Sequence, residues 1–266
     1  MKLKYLFIIF VIFILVSARW FFFDFKNDPP STSSVISIPP SSEVSEITQT
    51  ADTPPESSEN TNPPSSSSES ALENIQTLPE YVNLKVPFTS QSPHQNWNMP
   101  YQEFCEEASM LMAASYAKSQ TISDPEDADK KLKALQKFEM EKLGFYQDTT
   151  IEETAMVLRE YFNLKNIAII NNPSITDIQN ALAENKVLIL PFAGQQLGNP
   201  NFKQPGPIYH MLVVKGYTKS GDFITNDPGT RKGADYIYKA SVLMNALHDW
   251  NGGNVTTGKK IMISVE

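Results

Sequence analysis

From residue 24 to residue 79 the chain is built mainly of Ser, Pro, Thr and Glu, in runs such as Pro29-Pro-Ser-Thr-Ser-Ser, Pro54-Pro-Glu-Ser-Ser and Pro63-Pro-Ser-Ser-Ser-Ser. Large apolar side chains are too sparse there to offset the entropy of ordering, so the stretch is expected to be a disordered stem, with a coil span of roughly 40 Å. Any packed fold must therefore be built from residues 80–266. Charge divides the same way. Residues 27–84 hold nine acidic residues and no Lys or Arg, whereas residues 85–266 hold 18 basic and 20 acidic residues, so the net charge of −8 belongs to the stem. No basic stripe or basic patch with interleaved aromatics is present, which argues against a nucleic-acid partner.

Ahead of the stem, residues 5–16 are apolar and uncharged and follow Lys2 and Lys4, the pattern of an export signal. Val16-Ser17-Ala18 would serve as a cleavage site. Residues 5–23 read together, with Arg19 snorkelling and Trp20 and its following phenylalanines at the far interface, would instead form a membrane anchor. The anchor is the preferred reading, so residues 1–23 are expected to be a signal or transmembrane segment, with the remainder extracytoplasmic, tethered or secreted. An exported chain with a single cysteine, Cys105, cannot close an internal disulfide, so its fold must rest on an apolar core.

The pattern in the folded part changes midway. A strand is expected over 82–88, then a helix over 104–118 that is Ala- and Met-rich on nearly every face and so central. Asp124-Pro125 starts a second helix reaching Leu143, and Thr150 with Glu153 forms a capping box for a third, to Phe162. Ser174-Ile-Thr-Asp177 opens a fourth, to Glu184. Apolar runs at 186–192, 208–217, 222–225, 234–238 and 259–265 then read as strands, with a short helix near 239–248. Helices first and strands afterwards predict an α+β fold with a mainly antiparallel sheet. The Gly- and Pro-rich connection 194–207 is long enough to suggest a functional loop.

Chemistry concentrates on few residues. A thiol at a helix start gains from the unpaired first-turn amides and the helix dipole, both of which favour its anion. Cys105 has that position, His210 opens an apolar strand, and Asp227 lies in a turn just past the next one. Nucleophile, base and orienting acid would follow in that order. Asn226 is a rival orienter, and Gln91 is the best side-chain candidate for an oxyanion donor. Trp97 and Tyr101 could line a substrate groove or simply pack the loop. His94 reads as a loop residue and His248 as a helix-end residue. Glu106 and Glu107 read as first-turn residues matching the helix dipole, or as contacts for a basic substrate. Three scattered His, one Cys and no His-Glu-x-x-His spacing give no metal site, and no Gly-rich phosphate loop is present.

These residues carry a resemblance. Val86-Pro-Phe-Thr-Ser-Gln-Ser-Pro, Trp97, Cys105-Glu-Glu-Ala-Ser, His210-Met-Leu-Val-Val-Lys-Gly-Tyr and Asn226-Asp-Pro-Gly resemble the bacterial cysteine peptidases of family thirty-nine and their "like" domains, within the papain-like superfamily. The relatives include peptidases that process double-glycine leaders of bacteriocins. The resemblance implies a papain-like α+β fold needing no cofactor. It implies Cys105 as nucleophile, His210 as base, Asp227 as orienter and Gln91 as oxyanion donor. Here an insertion with His94 and Trp97 separates Gln91 from Cys105, a departure from the leader-processing enzymes.

The expected activity is hydrolysis of a peptide or protein substrate by a monomeric thiol peptidase. Cleavage of cell-wall peptide amides, or acyl transfer with the same triad, is a variant. A non-catalytic papain-fold binding module at the cell surface is the alternative class.

Overall fold

The computed structural model describes residues 78–266. The expected leader and all but the end of the expected stem lie outside the described residues. Among the described residues, no helix is long and apolar enough to cross a membrane.

Seven strands form one antiparallel sheet: β1 (Val82–Asn83), β2 (Ile167–Asn171), β3 (Val187–Ala193), β4 (Tyr209–Tyr217), β5 (Phe223–Asn226), β6 (Tyr236–Tyr238) and β7 (Ile261–Val265). Their order is β2-β7-β3-β4-β5-β6, and β1 pairs with β4 at Gly216 and Tyr217, past Val214 where β3 stops. The helices are α1 (Cys105–Ala117), α2 (Pro125–Lys142), α3 (Ile151–Glu160), α4 (Ile175–Ala183) and α5 (Ala240–Ala246). The α+β arrangement expected from the sequence holds, with the cysteine at the head of a central helix and His210 and Asp227 on or beside antiparallel strands.

Helix α1 is central because its composition lets it be. Eleven of its thirteen residues are buried, and it packs on β3, β4 and β7 with α2 and α3 on its other sides. Small Ala113 and Ala114 allow close approach, while Met110 and Met112 fill the irregular space between helices and sheet. Helices α2, α3 and α4 start where local chemistry tells them to. Asp124 accepts the Asp127 N–H, and Thr150 with Glu153 and Ser174 with Asp177 form reciprocal capping boxes. Their inward sides place Leu132, Leu158 and Leu182 in the core, where truncating any one to Ala would cost about 2–5 kcal/mol.

Two expectations need correction, and one strand is new. The strand expected over 82–88 is regular only at Val82–Asn83, because β4 beyond Gly216 offers a short free edge. Gly216 makes that pairing possible, since a Cβ there would collide with the Val82 carbonyl. Strand β2, paired along its length with β7, was not anticipated. The third helix ends at Glu160 rather than Phe162.

Candidate active site

The 3-10 turn Tyr101–Glu103 runs into α1, whose N-cap Phe104 offers no side-chain cap. The first-turn N–H groups of α1, including that of Cys105, are thus left to other partners. Cys105 lines a cleft of about 990 Å³ together with His210 and Gln91. His210 comes from the start of β4, where it pairs with Phe192 of β3.

Asp227 follows β5 directly, and its Oδ1 lies 2.8 Å from His210 Nε2. This carboxylate is fully saturated. Oδ1 also accepts the Gly229 N–H at 2.9 Å, and Oδ2 accepts the Tyr238 hydroxyl at 2.6 Å and Asn199 Nδ2 at 3.0 Å. Burial alone would raise the Asp227 pKa, but the His210 charge and these hydrogen bonds hold it below the usual carboxylate range. The Phe202 ring stands edge-on to the imidazole at 5.2 Å. With Nε2 committed to Asp227, Nδ1 is the ring nitrogen free to exchange a proton with a nucleophile.

The rival orienter does other work. Asn226 Nδ2 donates to the carbonyls of Val86 and Pro87, tying the segment after β1 to the sheet. Asn199 and Tyr238 were missed in the sequence. The length of the 194–207 connection was the only signal for Asn199, and Tyr238 gave none beyond strand patterning.

Cys105 Sγ donates to Glu106 Oε2 at 2.9 Å, and no hydrogen bond joins Sγ to His210 among the described residues. Burial, then the Glu106 charge and hydrogen bond, push the thiol pKa well up, against an opposing pull from the Met211 amide. Gln91 reaches the loop just ahead of Cys105. Its Nε2 donates to the carbonyls of Tyr101 at 3.0 Å and Gln102 at 2.9 Å, so both amide hydrogens are engaged, and its buried Oε1 has no hydrogen-bond partner among the described residues.

Trp97 lines the cleft. Tyr101 does not. Its hydroxyl donates to Asp129 of α2 at 2.7 Å and its ring packs on Phe104, so it braces the loop. His94 pairs with Glu126 at 3.4 Å on the surface, and His248 sits beside the Ala246 carbonyl, both away from the cleft. Glu106 and Glu107 are not exposed contacts for a substrate, because both are buried. Glu107 instead faces Glu139 of α2, and among the described residues neither carboxyl has a hydrogen-bond partner outside the pair. No cluster of His, Cys, Asp and Glu among the described residues could hold a metal ion.

The cleft wall carries charges of both signs. Glu103 and Asp148 both line it, with burial and then the Glu103 charge pushing Asp148 up to about 6. Lys203, Arg231 and Lys232 come from the loops around β4 and β5. Trp250 stacks at a tilt on Tyr209, 5.6 Å away, and both face the cleft.

Among solved structures, the chain is similar to a C39-like protein of Bacillus anthracis, at 14% identity over 70% of this chain and 97% of that one, with a TM-score of 0.45. It is also similar to a fragment of prointerpain A from Prevotella intermedia, at 15% identity over 70% of this chain and 72% of that one, with a TM-score of 0.46. No curated protein matches it. The model of the Peptidase_C39 like family matches residues 83–253, which include Gln91, Cys105, His210 and Asp227 and make up more than half of the chain, and the chain belongs to that family.

Proposed function

We propose that this protein is an exported or membrane-tethered cysteine peptidase that cleaves peptide bonds with a Cys105–His210–Asp227 triad. The observation that carries the reading is the buried 2.8 Å contact between His210 and Asp227 in the cleft that holds the helix-start thiol. Asp227 fixes the imidazole with Nδ1 free, and Nδ1 takes the thiol proton. The thiolate attacks the substrate carbonyl carbon. The Cys105 N–H and the Gln91 amide stabilise the oxyanion, one Nε2 hydrogen leaving the carbonyl of Tyr101 or Gln102 to do so. The imidazolium then protonates the leaving amine, and water attacks the thioester to release the acyl product and restore the thiol. Trp97 borders the substrate chain. The leader of residues 1–23 supplies export, and the stem spaces the domain from the membrane.

Mass-spectrometric profiling of a peptide library with the full chain tests this. Cleavage lost in both Cys105→Ser and His210→Ala is the expected result. A second reading, a non-catalytic binding module, is favoured by one contact: the thiol donates to Glu106 rather than to His210. No cleavage, together with iodoacetamide alkylation of Cys105 that is indifferent to His210→Ala, would establish that second reading instead.

A further inference from the structure

Glu106 is the residue after the nucleophile, yet its side chain turns inward and is 1% exposed. Its two oxygens have different partners. Oε1 accepts the backbone N–H of Thr149 at 3.2 Å, and Oε2 meets Cys105 Sγ at 2.9 Å. A backbone N–H can only donate, so Oε1 must be the accepting oxygen. When Glu106 is a neutral acid, its proton therefore resides on Oε2, aimed at sulfur. When Glu106 is ionised, Oε2 can only accept, and the thiol must keep its own proton to satisfy the contact.

The surroundings favour the neutral acid. Facing Glu106 are Cys105 and Glu107 of α1, Glu103 of the preceding turn and Asp148 of the loop before α3. Glu139 of α2 and Tyr209 of β4 face it too, with Asp249 beyond Tyr209 and His210 next along β4. No Lys or Arg pairs with it among the described residues. Burial is the main cause that pushes Glu106 up to about 8, with its hydrogen bond to Cys105 opposing and the charges of Asp148 and Glu103 adding.

We propose that neutral Glu106 is the hydrogen-bond donor that holds the Cys105 thiolate, and that its ionisation returns the nucleophile to the resting thiol. In the active form two protons are shared among three groups. One is on His210 Nδ1 as imidazolium, and the other is on Glu106 Oε2 and donates to the sulfur anion. Losing a proton from Glu106 to solvent makes Oε2 an acceptor. The imidazolium proton then moves to Sγ, which leaves neutral His210 and an S–H donating to Oε2. Thiolate thus disappears as pH rises through the Glu106 transition, the reverse of an isolated cysteine, and reappears only in stronger alkali.

The proposal rests on Cys105 and His210 forming the nucleophile pair, and its test is independent of turnover. Thiolate absorbance in the ultraviolet is read as the difference between the full chain and its Cys105→Ser variant, from about pH 5 to about pH 11. The expected curve falls between about pH 7 and about pH 9 before rising again. Glu106→Gln, whose amide donates at every pH, is expected to abolish the fall and to move the alkaline limb of peptide cleavage up by at least about one pH unit. A monotonic rise in the wild-type curve, or an unchanged fall in Glu106→Gln, would overturn the proposal. Should the variant not fold, the wild-type curve alone decides. A falling curve without any peptide cleavage would leave the Glu106 assignment standing and remove the peptidase reading. Cleavage with a monotonic curve would do the opposite.

Discussion

His210 and Asp227 meet at 2.8 Å, and the register between their strands is set by one residue left out of the β4–β5 ladder, Lys215. From the β4–β5 turn, Tyr217 pairs with Phe223 and Gly216 with Ile224, but Val214, not Lys215, pairs with Thr225. Lys215 is thus a β-bulge. It shifts the register by one so that Asn226 rather than Asp227 opposes Val213, and Asp227, one residue past the paired strand, turns its side chain to His210. Without the bulge, Asp227 would oppose Val213 and point to the other face.

Replacing Asp227 by Asn keeps the shape and removes the charge that orients the imidazole. Assay of kcat on a cleaved peptide is expected to show a loss of about 10²- to 10⁴-fold. Stability should report the same carboxylate. The folded-state pKa of Asp227 is depressed. Its contribution is therefore present above the unfolded value of 3.8 and lost as pH falls through the folded value. Urea unfolding is expected to show a loss below about pH 4 in the wild type that Asp227→Asn lacks. Equal acid slopes in the two proteins would contradict the role given to this carboxylate.

Tyr238 and Asn199 hold the far oxygen of Asp227, and Asn199 Nδ2 also donates to the Tyr238 hydroxyl at 2.7 Å. Tyr238→Phe is expected to cost about 1.5–3 kcal/mol, as for a hydrogen bond to a charged group, and to lower kcat. Asn199→Ala should do likewise. Because the two side chains touch, their effects should not add. A double-mutant cycle in unfolding free energy is expected to give a coupling of about 0.5–3 kcal/mol. Simple additivity would mean that the network does not act as a unit.

Gly229 provides a further check on where the imidazole must stand. A Cβ on this residue would lie 2.8 Å from His210 Cε1 and 2.9 Å from Phe202 Cε1. Gly229→Ala should force the ring to move, at an overpacking cost of about 1–3 kcal/mol, and reduce kcat by more than about tenfold. Wild-type turnover in this variant would show that the imidazole position is not critical.

Much of this was legible in the chain. Helix starts were, because Asp124-Pro125, Thr150 with Glu153 and Ser174 with Asp177 satisfy the first-turn amides locally, within four residues. The order of Cys105, His210 and Asp227 was, since each sits where an element starts or has just ended. Strand β2 was not: Ile167-Ala-Ile-Ile is a four-residue apolar run without apolar–polar alternation, and its pairing with β7 makes it a strand. The Lys215 bulge and the Asn199–Tyr238 support depend on residues that meet only once the sheet has formed. Glu106 misled for a physical reason. A first-turn glutamate normally complements the helix dipole in solvent, and nothing local shows that α1 is buried at its first turn.

The same burial of α1 creates a dependence of stability on pH. Glu107 of α1 and Glu139 of α2 face each other with no outside partner among the described residues. Burial, then the Glu106 charge, raises Glu139 to about 9, with the Glu107 hydrogen bond opposing. Burial, then the Glu139 charge, raises Glu107 well above its ordinary value. Both folded-state values are raised, so the pair's contribution is fully present below the unfolded value of 4.5 and is lost as pH rises toward about 9. Glu139→Gln keeps a hydrogen-bonding group and cannot ionise. Urea unfolding at about pH 5 is expected to give it a stability close to wild type, and at about pH 8 to make it the more stable protein by a few kcal/mol. A variant that tracked the wild type between those two pH values would show that the buried pair ionises as freely in the folded chain as in the unfolded one, and would overturn the assignment.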